Sequence, residues 1–132
     1  MESLQVRTGQ ISLQILDDNG DPRGVFKFVP TDIESAKQIL SLQQEVNDKY
    51  KEFQELAKSA DSADKQINLL GEVVDYFESR IDSIFGEGSS KILFGNAKTL
   101  SMFEDFFTGI MPYYEKASKK RVNKYTKTKR TK

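Results

Sequence analysis

The residues of this chain that could do chemistry are its acids, its glycines and its lysines, because cysteine and histidine are both absent. That absence removes thiol nucleophiles, imidazole bases, disulfide frameworks and Cys/His zinc sites together. Asp17, Asp18, Asn19 and Asp21 stand close enough to suggest a calcium loop. An EF-hand, however, needs a ligand frame closed by a glutamate, and Phe28 holds the closing position. The cluster reads as a polar turn. Gly86, Gly88 and Gly95 invite comparison with a phosphate loop, but the Gly-Lys-Ser/Thr ending is missing and Lys91 is misplaced for it. Glu72, Asp75 and Glu78 lie at helical spacing, and Glu104 and Asp105 flank a run of phenylalanines. Acids on amphipathic helices normally form a solvated face. An enzyme built on them would need a polar cleft and acids of displaced pKa, and no pair is singled out by spacing.

The lysines are unevenly placed. The chain has 132 residues and no net charge, yet Lys119, Lys120, Arg121, Lys124, Lys127, Lys129, Arg130 and Lys132 follow one another with no acid among them. The first 117 residues are left with 12 basic against 20 acidic residues, a charge of −8. A basic run with Tyr125 interleaved could neutralise phosphates in a salt-sensitive way. A nucleic-acid-binding accessory protein acting through this tail is therefore one reading. No helix-turn-helix, RNP strand or zinc finger accompanies the run, and docking onto an acidic protein surface fits it equally. No stretch of about 18 apolar residues exists to span a bilayer, and the start lacks the basic-then-apolar layout of a secretion signal. The expectation is a soluble intracellular protein without a membrane partner.

The elements that position these residues follow from hydrophobic period. Ile11, Leu13 and Ile15 alternate with polar residues, and Phe26 and Phe28 share a face of a second run, Val25 to Val29; the turn-rich stretch between them predicts a β-hairpin, with Asn19-Gly20 able to supply positive φ angles. Thr31 and Glu34 form a capping-box pattern ahead of a helix running to about Ser59. Its stripe is Ile39, Leu42, Val46, Tyr50, Phe53 and Leu56. A second helix is predicted over about 63–85, with Ile67, Leu70, Val74, Phe77, Ile81 and Ile84 at a/d-like spacing. The same stripe serves an antiparallel hairpin within one domain or pairing with another chain. Gly86-Glu87-Gly88 ends that helix, and Ile92-Leu93-Phe94 is too short to assign as helical turn or strand. A third helix starts near Lys98-Thr99 and carries Leu100, Phe103, Phe106, Phe107, Ile110 and Met111. Pro112 predicts a kink or restart there. The fold class is α+β, mainly α: an N-terminal hairpin, two long antiparallel helices and a third C-terminal helix. Residues 1–117 form the domain, and the basic residues 118–132 are expected to be disordered when free.

Ile81-Asp82-Ser83-Ile84-Phe85-Gly86-Glu87-Gly88, the following Ile92-Leu93-Phe94-Gly95, Phe103 through Phe107 with Pro112, and the Phe26-Lys27-Phe28 strand with the Pro30-Thr31-Asp32 helix start together cover most of residues 11–117. In that order they resemble the small tail assembly chaperones of long-tailed phages and prophages of Gram-positive bacteria. Such proteins often have Cys or Thr after the Gly-Glu-Gly turn, where this chain has Ser89-Ser90. The resemblance implies a non-enzymatic protein without cofactors, present in the host cytoplasm and absent from the mature virion. It would bind the tape-measure protein and recruit tail-tube subunits. A longer, frameshifted form would be compatible with the lysine-rich end.

A chaperone of this kind needs apolar surface left open to a partner. The candidates are Phe103, Phe106, Phe107 and Ile110, and the second-helix residues Ile67, Leu70, Val74 and Phe77, with core packing as the competing role for each. The charge asymmetry and the heptad-like stripe also predict a homo-oligomer.

Overall fold

The computed structural model describes residues 1–59 and 62–130, with side chains described as far as Arg121 apart from Ser59. Two strands and four helices follow one another: β1 (Ile11–Leu16), β2 (Pro22–Phe28), α1 (Ile33–Ser59), α2 (Ala63–Phe85), α3 (Ser89–Phe94) and α4 (Ser101–Arg130). The mainly helical α+β class expected from the periods is the observed one.

β1 and β2 pair antiparallel, with Ile11 opposite Phe28 and Leu13 opposite Phe26, and an irregularity follows Ile15. The period-two alternation places Ile11, Leu13 and Ile15 on the same face as Phe26 and Phe28. The acidic cluster is a loop organised by Asp17. Its carboxylate accepts from the backbone N–H of Asn19 and of Asp21, each at 2.9 Å. Only Gly20 turns to positive φ, at +83°; Asn19 does not share the left-handed geometry expected of it. Local side-chain-to-backbone bonds of this kind are what Asp supplies in turns.

The start of α1 differs by one residue from the capping-box expectation. Asp32, not Thr31, caps the helix, its Oδ2 accepting from the Ser35 N–H at 3.1 Å. Thr31 instead donates its hydroxyl to the Thr8 carbonyl at 2.6 Å, a long-range partner invisible to a local pattern. α2 begins as predicted, with the Ser62 hydroxyl accepting from the Lys65 N–H. Its end is set by glycines, Gly86 at φ +113° and Gly88 at φ +90°, values that side chains with a Cβ rarely adopt. α1 and α2 form an antiparallel hairpin: Gln66 reaches the Ala57 carbonyl near the tip, while Tyr76 and Arg80 both donate to Glu45 lower down.

α4 bears on two expectations. Pro112 lies inside one continuous helix, so no new helix restarts there. The carbonyl that loses its N–H partner is that of Thr108, an exposed residue, where water can satisfy it. The helix also crosses the domain boundary drawn at residue 117, and its backbone stays helical to Arg130. After Pro112 the chain has neither Gly nor Pro, and lysines suit a helix C-terminus through the macrodipole.

The core sits where the sheet, the lower halves of α1 and α2, α3 and the first half of α4 meet. Phe77, Phe103, Ile39, Leu42, Ile81 and Val74 are fully buried. Aromatic rings run through it as a chain of tilted contacts, Phe77 to Phe103 at 5.3 Å, Phe103 to Phe94 at 5.0 Å and Phe106 to Phe26 at 6.0 Å. Eight of the nine phenylalanines, in a chain without tryptophan, thus form one connected aromatic network, Phe53 on the arm standing outside it.

Two titrating groups tie α4 and its approach to the rest. Burial holds the Tyr114 hydroxyl above its ordinary pKa, with Asp32 adding to the rise and the hydrogen bond to Ser35 opposing it. Lys98 is raised first by its hydrogen bond to Glu78 and then by that to Asp75. Both groups keep their protons longer folded than unfolded, so their stabilisation is complete below about pH 10 and falls as the pH climbs through the folded-state values. Melting followed by circular dichroism should show declining stability above about pH 10, and Tyr114→Phe combined with Lys98→Met should flatten that decline.

Candidate functional site

Six of the eight apolar candidates are taken up by the fold itself. Phe103, Phe106, Phe107 and Ile110 are between 0% and 8% exposed, and Val74 and Phe77 are fully buried. Their spacing on α4 and α2 put them on one side, and that side faces the core. The two remaining candidates behave differently: Leu70 is half-buried and Ile67 is 66% exposed.

The reason is geometric. The α1–α2 hairpin is longer than the layer it packs on. At its base Ile39, Leu42 and Val46 of α1 and Val74, Phe77 and Ile81 of α2 are covered by the sheet and α4. Towards the tip the same stripes continue with Tyr50, Phe53 and Leu56 and with Leu70 and Ile67, none of which belongs to the buried core. Tyr50 is 39%, Leu56 44% and Tyr76 43% exposed. Between the helices lies an open groove of about 380 Å³, lined by Phe53, Leu56, Leu69, Val73 and Tyr76 with Lys49, Glu52 and Glu72 at its rim. An apolar floor with a charged rim is the composition of a protein-docking surface.

Polar contacts hold this arm at a fixed angle. The Glu45 carboxylate accepts from Arg80 Nε at 3.1 Å and from the Tyr76 hydroxyl at 3.3 Å, a partly buried pair that sets the register of α1 on α2. Lys98, in the link to α4, bridges Asp75 and Glu78 on α2. Two members of the acidic series on the polar side of α2 thus anchor the α3–α4 connection, and Glu72 lies at the groove.

Asp82 and Ser90 form a contact that local patterns did not single out. The Asp82 carboxylate accepts from the backbone N–H of Ser90 at 2.8 Å and from its hydroxyl at 3.1 Å. Gly88 offers no side chain to cap α3, so α2 supplies the cap from across the turn. Ser90 is 6% exposed, which makes the Ser89-Ser90 pair a structural joint. Asp82→Ala should destabilise the fold by about 1–2 kcal/mol, read from urea unfolding, while Asp82→Asn should lose less.

The basic series divides. Lys119 and Lys120 are exposed on α4. Arg121 is engaged by the fold, donating from Nη2 to the Thr31 carbonyl at 3.3 Å. The side chains of Lys124, Lys127, Lys129 and Arg130 lie outside the described residues, as does Lys132 entirely. Among the described residues no group of three or more acids is placed to hold a metal ion, and no helix is long and apolar enough to cross a membrane.

A family model described as a family of unknown function (DUF6673) matches residues 25–132, a span from β2 through α4. No curated protein and no solved structure matches the chain.

Proposed function

The chain belongs to the DUF6673 family, and from that starting point we propose that it is a phage tail assembly chaperone, a non-enzymatic protein that binds the tape-measure protein and recruits tail-tube subunits in the host cytoplasm. One observation carries the reading: the apolar residues of α1 and α2 run on past the core, leaving Ile67 66%, Leu56 44% and Tyr50 39% exposed, with an open apolar groove between the two helices. A rigid two-helix arm with an apolar groove suits a helical partner, which would lay its own stripe between the two ridges. A tape-measure protein, long and helical, is such a partner. The acids also have structural employment. Asp17 builds a turn, Glu45 and Glu78 hold ion pairs, and Asp82 caps a helix. The resemblance of the Ile81–Gly88 and Phe103–Phe107 segments to tail assembly chaperones gives the partner its name. Self-association is part of the proposal.

Co-expression with overlapping fragments of a tape-measure protein, followed by affinity capture, tests it. Retention of at least one helical fragment is the expected result. Failure to retain any fragment, with the chain folded, would remove the reading.

A further inference from the structure

The hairpin has one covered edge and one open one. α3 packs against β2: Arg23 Nη1 donates to the Leu93 carbonyl at 2.8 Å, and Ile92 sits against Gly24. β1 has no strand beyond it among the described residues. The inward side chains show the same asymmetry. Phe26 and Phe28 of β2 are 2% and 3% exposed, whereas Ile11, Leu13 and Ile15 of β1 are only half-buried. β1 also carries no charge and no proline, the usual devices that protect an edge.

Two clefts of about 520 and 430 Å³ that share Tyr113 lie between the hairpin and α4, the larger reaching under β1 to Phe26 of β2 and Phe94 of α3. The larger lies by Leu13 and Ile15, over Met102, Phe106 and Ile110; the smaller lies by Ile11. Their charges are opposed. Asp18 and Asp105 line the larger together with Arg23, whose guanidinium is turned to the Leu93 carbonyl, and Lys116 and Lys120 line the smaller.

The chain also contains an extra segment with the sequence pattern of a strand. Residues 1–10 have no secondary structure and are exposed throughout, with Leu4 at 89% and Val6 at 73%. Ser3-Leu4-Gln5-Val6 nearly repeats Ser12-Leu13-Gln14-Ile15 of β1, so it has the same period-two face. The segment is led away from its own β1: the Thr8 carbonyl is held by Thr31, and Gly9 takes φ +85°.

We propose that residues 3–7 of a second copy add to the open edge of β1 as a parallel strand, with Leu4 and Val6 over the α4 clefts. Charge sets the direction. Parallel addition brings Arg7 to Asp18 and Asp105 and Glu2 to Lys116 and Lys120; the antiparallel direction would oppose like charges at both ends. Direction in turn sets the donor. A parallel crossover needs about a dozen linking residues, and only residues 8–10 separate the arm from β1, so the strand comes from another molecule. This gives the proposed self-association a route. It is tested on the protein alone, so its failure is distinguishable from failure to capture a tape-measure fragment.

The chain has no cysteine, so introduced ones are unambiguous. Arg7→Cys protein mixed with Asp18→Cys protein should form a disulfide joining the two variants under mild oxidation. Sedimentation should show removal of residues 1–7, or Leu4→Asp with Val6→Asp at unchanged length, weakening association at least about tenfold, with the circular dichroism spectrum unaltered. The proposal is overturned if the full chain is monomeric at about 100 µM, leaving the edge to a different protein. It is also overturned if the arm variants associate as the full chain does, or if the two cysteines placed in one dilute chain join within it.

Discussion

Phe103→Ala is expected to lower the melting temperature by more than about 10 °C and the unfolding free energy by about 3–5 kcal/mol. Phe103 is fully buried, touching Phe77 of α2 on one side and Phe94 of α3 on the other, at ring separations of 5.3 and 5.0 Å. Truncation removes the transfer free energy of a phenyl ring and leaves a cavity between three helices. Each of these is held in place by other contacts, Asp82 on Ser90 and Lys98 on Asp75 among them, so the walls cannot close fully on the space. Ile67→Ala, at a site 66% exposed, should move stability by no more than about 0.5 kcal/mol. Guanidinium unfolding of the two variants measures the contrast. Equal effects would mean that Phe103 is not at the centre of the interior, and that the division between core and open stripe is misplaced.

That division was not legible in the periodicity. Ile67 and Val74 occupy equivalent positions in one a/d-like series, yet one is 66% exposed and the other fully buried, and nothing in their types or spacing tells which end of a helix the rest of the chain will cover. The answer depends on where β2 and α4 reach, which is a tertiary fact. The features that were legible are those decided within a few residues. The alternation of Ile11, Leu13 and Ile15 marks β1, and Ser62 and the Gly86-Glu87-Gly88 turn mark both ends of α2. Where a distant partner intervened, local reasoning missed by a little or altogether. Thr31 is diverted to Thr8 and leaves Asp32 to cap α1. The Asp82–Ser90 pair spans a turn, so it belongs to no helix spacing. Pro112 was expected to kink or restart α4; the helix does not restart, since the carbonyl that Pro112 orphans belongs to an exposed residue. The phenylalanine cluster read equally as partner surface or core, and burial assigns it to the core.

Ile67→Asp on the arm should weaken capture of a helical tape-measure fragment by about 30-fold or more, while leaving the fold intact. The size follows from position. Ile67 stands near the arm's tip and is 66% exposed, where a helix laid along the α2 stripe would cover it, and a carboxylate there would have to be desolvated without a partner. Tyr50→Ala, across the same surface on α1, should weaken capture in the same direction by removing an aromatic anchor. Glu87→Gln, an exposed residue in the turn at the other end of α2 from the tip, should leave capture unchanged and so serves as a control for nonspecific loss. Titration of a labelled fragment against each variant, with melting curves alongside, separates binding from folding. A fragment that binds Ile67→Asp as tightly as the parent chain would show that the partner seats elsewhere. The open stripe would then need another explanation, because more than half of a large aliphatic side chain is exposed there.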